Sequence, residues 1–413
     1  MNRARLHGTV QSITNQGDLK MERTRILRLL AMLSTAALIA ACSSPYVPPV
    51  FESRPPGQTK FSGISQLVLA APTRVLDVLL VHGMCTHGKD WAEGAINELN
   101  ATLSGTTSPK IEPVAVDGTR VVLYQSTLSI PSGTVRTAAM VWSPIIAPLK
   151  NQLCYDQTDK SDSCKDARLD EPRYPYKRAS INRALKDTLM DDCLADAIIY
   201  QGKSRDAISE QIQKAVLTAA SVLSQGKGAV DIQKAAAAAS TPLVLVTESL
   251  GSKIAFDAIY RLVKSENPGI RSAGLQTLNR TAQIFMGANQ MPLLALGDQS
   301  LDGVASFRIN SSAFPPDPLA ALLELKLEGL GAVASTSPKV VAFTDPNDLL
   351  SYILVPARQT ATYDVVDVIV SNEKTYAGAL ERPDTAHTGY LKNRDVTRLI
   401  ACGNLENGTC KPQ

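Results

Sequence analysis

Histidine is scarce in this chain, with only four among 413 residues, and aromatic side chains make up 5%. The seven cysteines include no CxxC pair and have no clustered histidines beside them, which excludes the usual structural zinc frameworks. HExxH and P-loop signatures are also missing, so neither a zinc peptidase helix nor a phosphate-cradling loop is written here. With 25 Gly and 24 Pro there is no collagen-like or low-complexity bias, and no internal repeat is evident. A mean hydropathy of −0.02 excludes a polytopic membrane protein. Basic residues exceed acidic ones by only three overall. Beyond residue 41 the count is 36 against 37, so the body lacks the basic excess that nucleic-acid binding needs. The remaining 44% of hydrophobic residues can bury a sizeable core, as one large domain with insertions or as two domains.

What is there begins with a leader. Met21-Glu-Arg-Thr-Arg-Ile-Leu-Arg28 precedes an apolar run, Leu29 to Ala41, which is too short to span a bilayer comfortably. A basic start, such a run and small residues before a cut point are the parts of a secretory signal peptide, with Met21 as its start, so residues 1–41 are expected to be removed. Leu38-Ile39-Ala40-Ala41-Cys42 resembles a bacterial lipoprotein box. The resemblance implies that Cys42 is lipidated and tethers the protein to the membrane of the cell envelope, facing the periplasm or on the outer membrane, the latter suggested by Ser43. An ordinary signal peptide with a chance cysteine is the alternative. Residues 42–70, rich in proline near their start, read as a tether. An exported chain keeps disulfides. Short separations suggest Cys154 with Cys164 and Cys402 with Cys410, which leaves Cys85 with Cys193.

Residues 71–413 read as one α/β domain. Val75 to Val81 is a buried strand that stops at His82-Gly83, followed by a helix over Asp90 to Leu103 and a strand over residues 119–130. Residues 131–200 break the pattern and are read as a partly helical, cap-like insertion, with Trp142 and its tyrosines either packed on the body or lining a pocket. Ser204 to Ser224 has helical apolar spacing. Leu243 to Thr247 is the central strand, Ser252 to Lys264 a helix, and further strands are expected at Ala282–Met286, Val340–Phe343 and Val365–Val370. Alternating strands and helices imply a mostly parallel sheet with helices on both faces.

A serine nucleophile needs a base, an acid to orient the base, and donors for the oxyanion. Thr247-Glu248-Ser249-Leu250-Gly251 sits between a strand and a helix, with small residues two before and two after the serine where the turn is tight. Of the histidines, His7 lies in the leader and His82 and His87 precede Ser249; only His387 follows it, after the last strand and before a helical run from Asn393 to Ile400. This pattern resembles an α/β-hydrolase of the esterase and lipase type, with Thr247 in place of the first glycine of G-x-S-x-G. The resemblance implies Ser249 as nucleophile, His387 as base and Asp348 as acid, with Asp345 the alternative, and His82 as a packed loop residue. Oxyanion donors would be the backbone N–H groups of Leu250 and Met84, the latter reached because Gly83 lets the chain approach closely. The implied activity is hydrolysis of a carboxylic, including lipid, acyl ester. No cofactor, metal or nucleic-acid partner is called for. The same residues also suit a thioesterase, amidase or acyltransferase, and a non-catalytic envelope protein using the fold for binding is the competing class.

Overall fold

A computed structural model of the protein describes residues 48–105, 109–157, 162–165, 176–225, 231–299, 318–330, 338–354, 363–375 and 381–405. The leader, Cys42 and Cys410 lie outside these residues. Pro48–Asn372 with Pro383–Gln413 forms one compact unit.

Among the described residues nine strands form one sheet: β1 Val50–Arg54, β2 Val75–Val81, β3 Glu112–Ala115, β4 Val122–Ile130, β5 Gly133–Val141, β6 Leu243–Glu248, β7 Thr281–Gly287, β8 Lys339–Thr344 and β9 Val365–Ile369. Their order is β1-β9-β8-β7-β6-β2-β5-β4-β3. The six strands from β9 through β5 run parallel, whereas β4 returns antiparallel to β5 and β1 antiparallel to β9. The α/β class with a mostly parallel sheet is therefore as the sequence pattern predicts.

Buried strands alternate between two cores. Leu79, Val81, Leu245 and Met286 face one, shared with helices Arg205–Gln225 and Leu250–Val263; Leu80, Val246, Phe285 and Val341 face the other, shared with helices Lys89–Ser104 and Arg394–Cys402. Both faces being covered explains why β6, Leu243 to Glu248, reads as a continuous apolar run and not an alternating one. The helix after β2 and the helix after β6 lie on opposite faces. The carboxyl ends of these neighbouring strands thus flank a topological switch point, the crevice where open α/β sheets bind their ligands.

Two expectations need correction. The insertion does not begin at residue 131, because Gly133–Val141 is β5 and pairs in parallel with β2 over seven residues. Its Arg136, which interrupts the apolar pattern, is there to reach Asp77, whose carboxylate also takes Arg280. The span 42–70 is not a free tether throughout, since Val50–Arg54 pairs with β9 and helix Ile64–Ala70 buries Ile64 and Val68. Among the described residues no helix is long and apolar enough to cross a membrane.

Candidate active site

Ser249 stands between the end of β6 and the helix Leu250–Val263, with φ 52° and ψ −128°. A serine at positive φ is held at a cost of order 1–3 kcal/mol, and surrounding contacts must impose it. Here Ser249 N–H donates to the Gly287 carbonyl at 2.8 Å, and the Ser249 carbonyl accepts from Ser252 N–H at 3.1 Å. The turn is tight enough that glycine is required just after the serine and in the β2 loop pressed against it. A Cβ on Gly251 would lie 2.2 Å from the His82 carbonyl oxygen, and one on Gly83 would lie 2.6 Å from Ser249 Cβ. Thr247 fits the first glycine position because its buried hydroxyl is 2.8 Å from Ser252 Oγ.

Around the serine the chain brings together residues remote in sequence. Ser249 Oγ is 3.1 Å from His387 Nε2, 138 positions away. His387 Nδ1 is 2.8 Å from Asp348 Oδ1. Those partners fix the tautomer: Nδ1–H donates to the carboxylate, leaving Nε2 to accept from the serine hydroxyl. Asp348 Oδ1 also accepts from Leu350 N–H at 3.0 Å, and its Oδ2 accepts from Tyr390 O–H at 2.9 Å. Asp345, the alternative acid, is otherwise engaged. Its carboxylate takes Asn372 N–H at 2.6 Å and Asn347 N–H at 2.9 Å, and shapes the turn that presents Asp348. Burial pushes the Asp345 carboxyl above the usual range, against those hydrogen bonds.

Tyr390 escapes the sequence pattern. Its hydroxyl accepts from Asp345 N–H at 2.8 Å while donating to Asp348, and burial together with the Asp348 charge keeps it protonated by raising its pKa well above the ordinary value. Gln290, in the loop after β7, adds an amide 3.5 Å from His387 Nε2. Neither residue belongs to a local motif; only the folded sheet places them beside the imidazole.

The loop after β2 is fixed from below. His82 Nδ1–H donates to the Gly83 carbonyl at 2.8 Å and Nε2 accepts from Trp142 N–H at 3.0 Å. Burial, with His87 adding to it, drives the His82 pKa well below its usual value, so the ring is a neutral strut and not a second base. Trp142 is fully buried, stacks on His82 at 4.8 Å between ring centres, and packs on the body. His87 Nε2–H donates to the Met84 carbonyl at 2.9 Å, and burial lowers its pKa to about 4. Cys85 is joined to Cys193 and Cys154 to Cys164, as the cysteine spacing suggests. Cys402 is also disulfide-bonded. Thr86 Oγ1 donates to Asp192, and the fully buried Lys150 ammonium bonds Asp192 at 2.6 Å and Asp196 at 2.9 Å. Insertion and β2 loop are thereby fastened together.

Beside the serine, the half-buried Glu248 accepts from Trp91 Nε1–H at 3.2 Å, and its carboxyl is pushed up to about 7 by burial, against the pull of Trp91 and His387. Four non-glycine residues among those described have positive φ, and three of them, Cys85, Ser249 and Ala288, follow the adjacent strands β2, β6 and β7. Backbone strain is thus gathered at one edge, around the hydroxyl. Comparison with protein-family models finds no matching model, and comparisons with curated proteins and with solved structures likewise find no match.

Proposed function

We propose that the protein is a serine hydrolase of the α/β-hydrolase type that cleaves carboxylic, including lipid, acyl esters through an acyl-enzyme. The observation that carries this reading is the unbroken hydrogen-bond chain from Ser249 Oγ through His387 to Asp348, placed at the switch-point crevice. Ser249 Oγ attacks the ester carbonyl carbon while His387 Nε2 takes its proton. The imidazolium, held by Asp348, returns that proton to the departing alkoxide. A water then adds to the acyl-enzyme with His387 again as base, and Ser249 leaves with the proton restored.

The tetrahedral oxyanion is stabilised by backbone N–H groups. Leu250 N–H is one of the unpaired donors at the start of its helix, and Met84 N–H follows Gly83, the residue pressed against Ser249. Each such donor contributes about 3–4 kcal/mol to the transition state.

Ser249→Ala and His387→Ala should each lower turnover of a short p-nitrophenyl ester by orders of magnitude with unaltered thermal unfolding. A fluorophosphonate should label Ser249 in the folded protein. Undiminished hydrolysis by Ser249→Ala, or no labelling of the wild type, would leave a binding protein as the reading. For the envelope anchor, metabolic labelling with a fatty acid should mark Cys42, and Cys42→Ser should release the protein from membranes.

A further inference from the structure

We propose that the carboxyl edge of the sheet, with Ser249 at its centre, faces a lipid bilayer, and that the ester the site takes is a component of that bilayer. This rests on the serine hydrolase and lipoprotein readings.

The first supporting observation is the direction in which the chain joins the sheet. β1 is antiparallel to β9, with Val50 opposite Ile369 and Arg54 opposite Val365. Val50 therefore lies at the carboxyl end of the parallel strands, the end from which the Ser249, Asp348 and Met84 loops emerge. Cys42 precedes Val50 by eight positions, and a chain of that length reaches at most about 28 Å when fully extended. Acyl chains on Cys42 would begin within that distance of the active-site edge. A strand added in parallel would have put the attachment at the opposite edge.

The second observation is independent of the anchor. Scattered exposed apolar side chains are ordinary on a soluble surface, but here they are segregated. Leu69 and Leu405 are exposed near the amino edge. The other large exposed apolar residues among those described include Ile181, Met190, Ile198, Leu296 and Leu349, on segments that leave the carboxyl ends of β5, β7 and β8. Side chains of this kind partition into the interfacial layer of a membrane, with a gain that scales with apolar area. A bilayer anchored through Cys42 is the apolar phase within reach of them.

The test uses the lipidated full-length chain in vesicles of dioleoylphosphatidylcholine and dioleoylphosphatidylglycerol, with Cys42→Ser protein free of vesicles as reference. Hydrogen exchange should slow severalfold in Ala195–Gln201 and Met291–Asp298 and stay unchanged in Ile64–Ala70. Ile198→Glu combined with Leu296→Glu, positions 66% and 62% exposed, should cut turnover of a vesicle-resident acyl ester at least tenfold and leave p-nitrophenyl butyrate turnover within twofold. Leu69→Glu, at a position 43% exposed, should alter neither. Exchange slowed at both edges alike or at neither, or a double variant that loses both activities together, overturns the proposal. Slowed exchange at the same segments on concentrating protein without vesicles assigns the face to a second copy and overturns it too. Wild-type inactivity on the soluble ester with the exchange pattern intact would instead defeat the hydrolase reading alone.

Discussion

Asp345 and Asp348 differ by three positions and by everything that surrounds their carboxylates. Asp345 spends its oxygens on backbone N–H groups of Asn347 and Asn372, whereas Asp348 turns one oxygen to the His387 ring and the other to Tyr390. Tyr390 ties the two together, since its hydroxyl bonds the backbone of one and the carboxylate of the other. A hydrogen bond to a charged group contributes about 1.5–3 kcal/mol, and its loss leaves the Asp348 carboxylate free to rotate from the imidazole. Tyr390→Phe is therefore expected to lower kcat roughly tenfold with KM little changed, measured on a short ester. An unchanged kcat with lowered stability would reduce Tyr390 to a packing role. Glu248 gives the fold a pH dependence of its own. Its folded pKa, raised to about 7, exceeds the unfolded value, so the native state binds more protons between the two. The associated stability is complete at pH below about 4.5 and is lost as pH rises through about 7. Glu248→Gln should flatten the fall in denaturant stability between pH 5 and 7.5; an equally steep fall in the variant would show that the carboxyl does not titrate there.

Among the elements, the β2 loop and the helical segment Leu185–Leu194 behave as one unit because they are covalently joined. Cys85–Cys193 closes a loop of 108 residues and neighbours Met84, while Cys154–Cys164 closes one of 10 and touches no proposed catalytic group. Chain-entropy arguments give about 4–5 kcal/mol for the longer loop and about 3 kcal/mol or less for the shorter. Replacing Cys85 and Cys193 by serine should destabilise the protein more than replacing Cys154 and Cys164, and only the first pair should also lower kcat. Equal effects on kcat would show that the Met84 loop works independently of its disulfide. Much of this scale can be read in the sequence. The β6 turn and helix are local, and chain order with so few histidines singles out His387. β5 is obscured because Arg136 and the small residues Thr137, Ala138 and Ala139 dilute a strand pattern whose reason, the Asp77 ion pair, is distant in sequence. β1 is obscured because the prolines around it read as a spacer, although proline beside an edge strand is equally at home. The choice between the two aspartates, and the part played by Tyr390, needs contacts across some 40 positions that no local pattern contains.

For the whole molecule, an open nine-stranded sheet has two edges, and an unpaired edge is a template for another chain. One edge is closed by β3, a four-residue strand containing Pro113. The other would be β9, whose Val366 and Val368 are fully buried, were it not covered by β1. The segment after β1 is tied down as well: Lys339 Nζ donates to the Gln58 and Lys60 carbonyls, and Phe61 N–H donates to Asn404 Oδ1. Phe51 on β1 packs with its ring centre 6.4 Å from that of Phe61, which in turn meets Phe285 in the core. Removing residues 48–56 should therefore do two things that removal of a free spacer would not. It should lower unfolding stability by at least about 2 kcal/mol, the worth of one large apolar side chain taken from its contacts. It should also leave β9 as a flat, β-branched edge, so that light scattering detects association at micromolar concentration where the intact chain stays monodisperse. A shortened chain as stable and as monodisperse as the original would return these residues to the role of a linker.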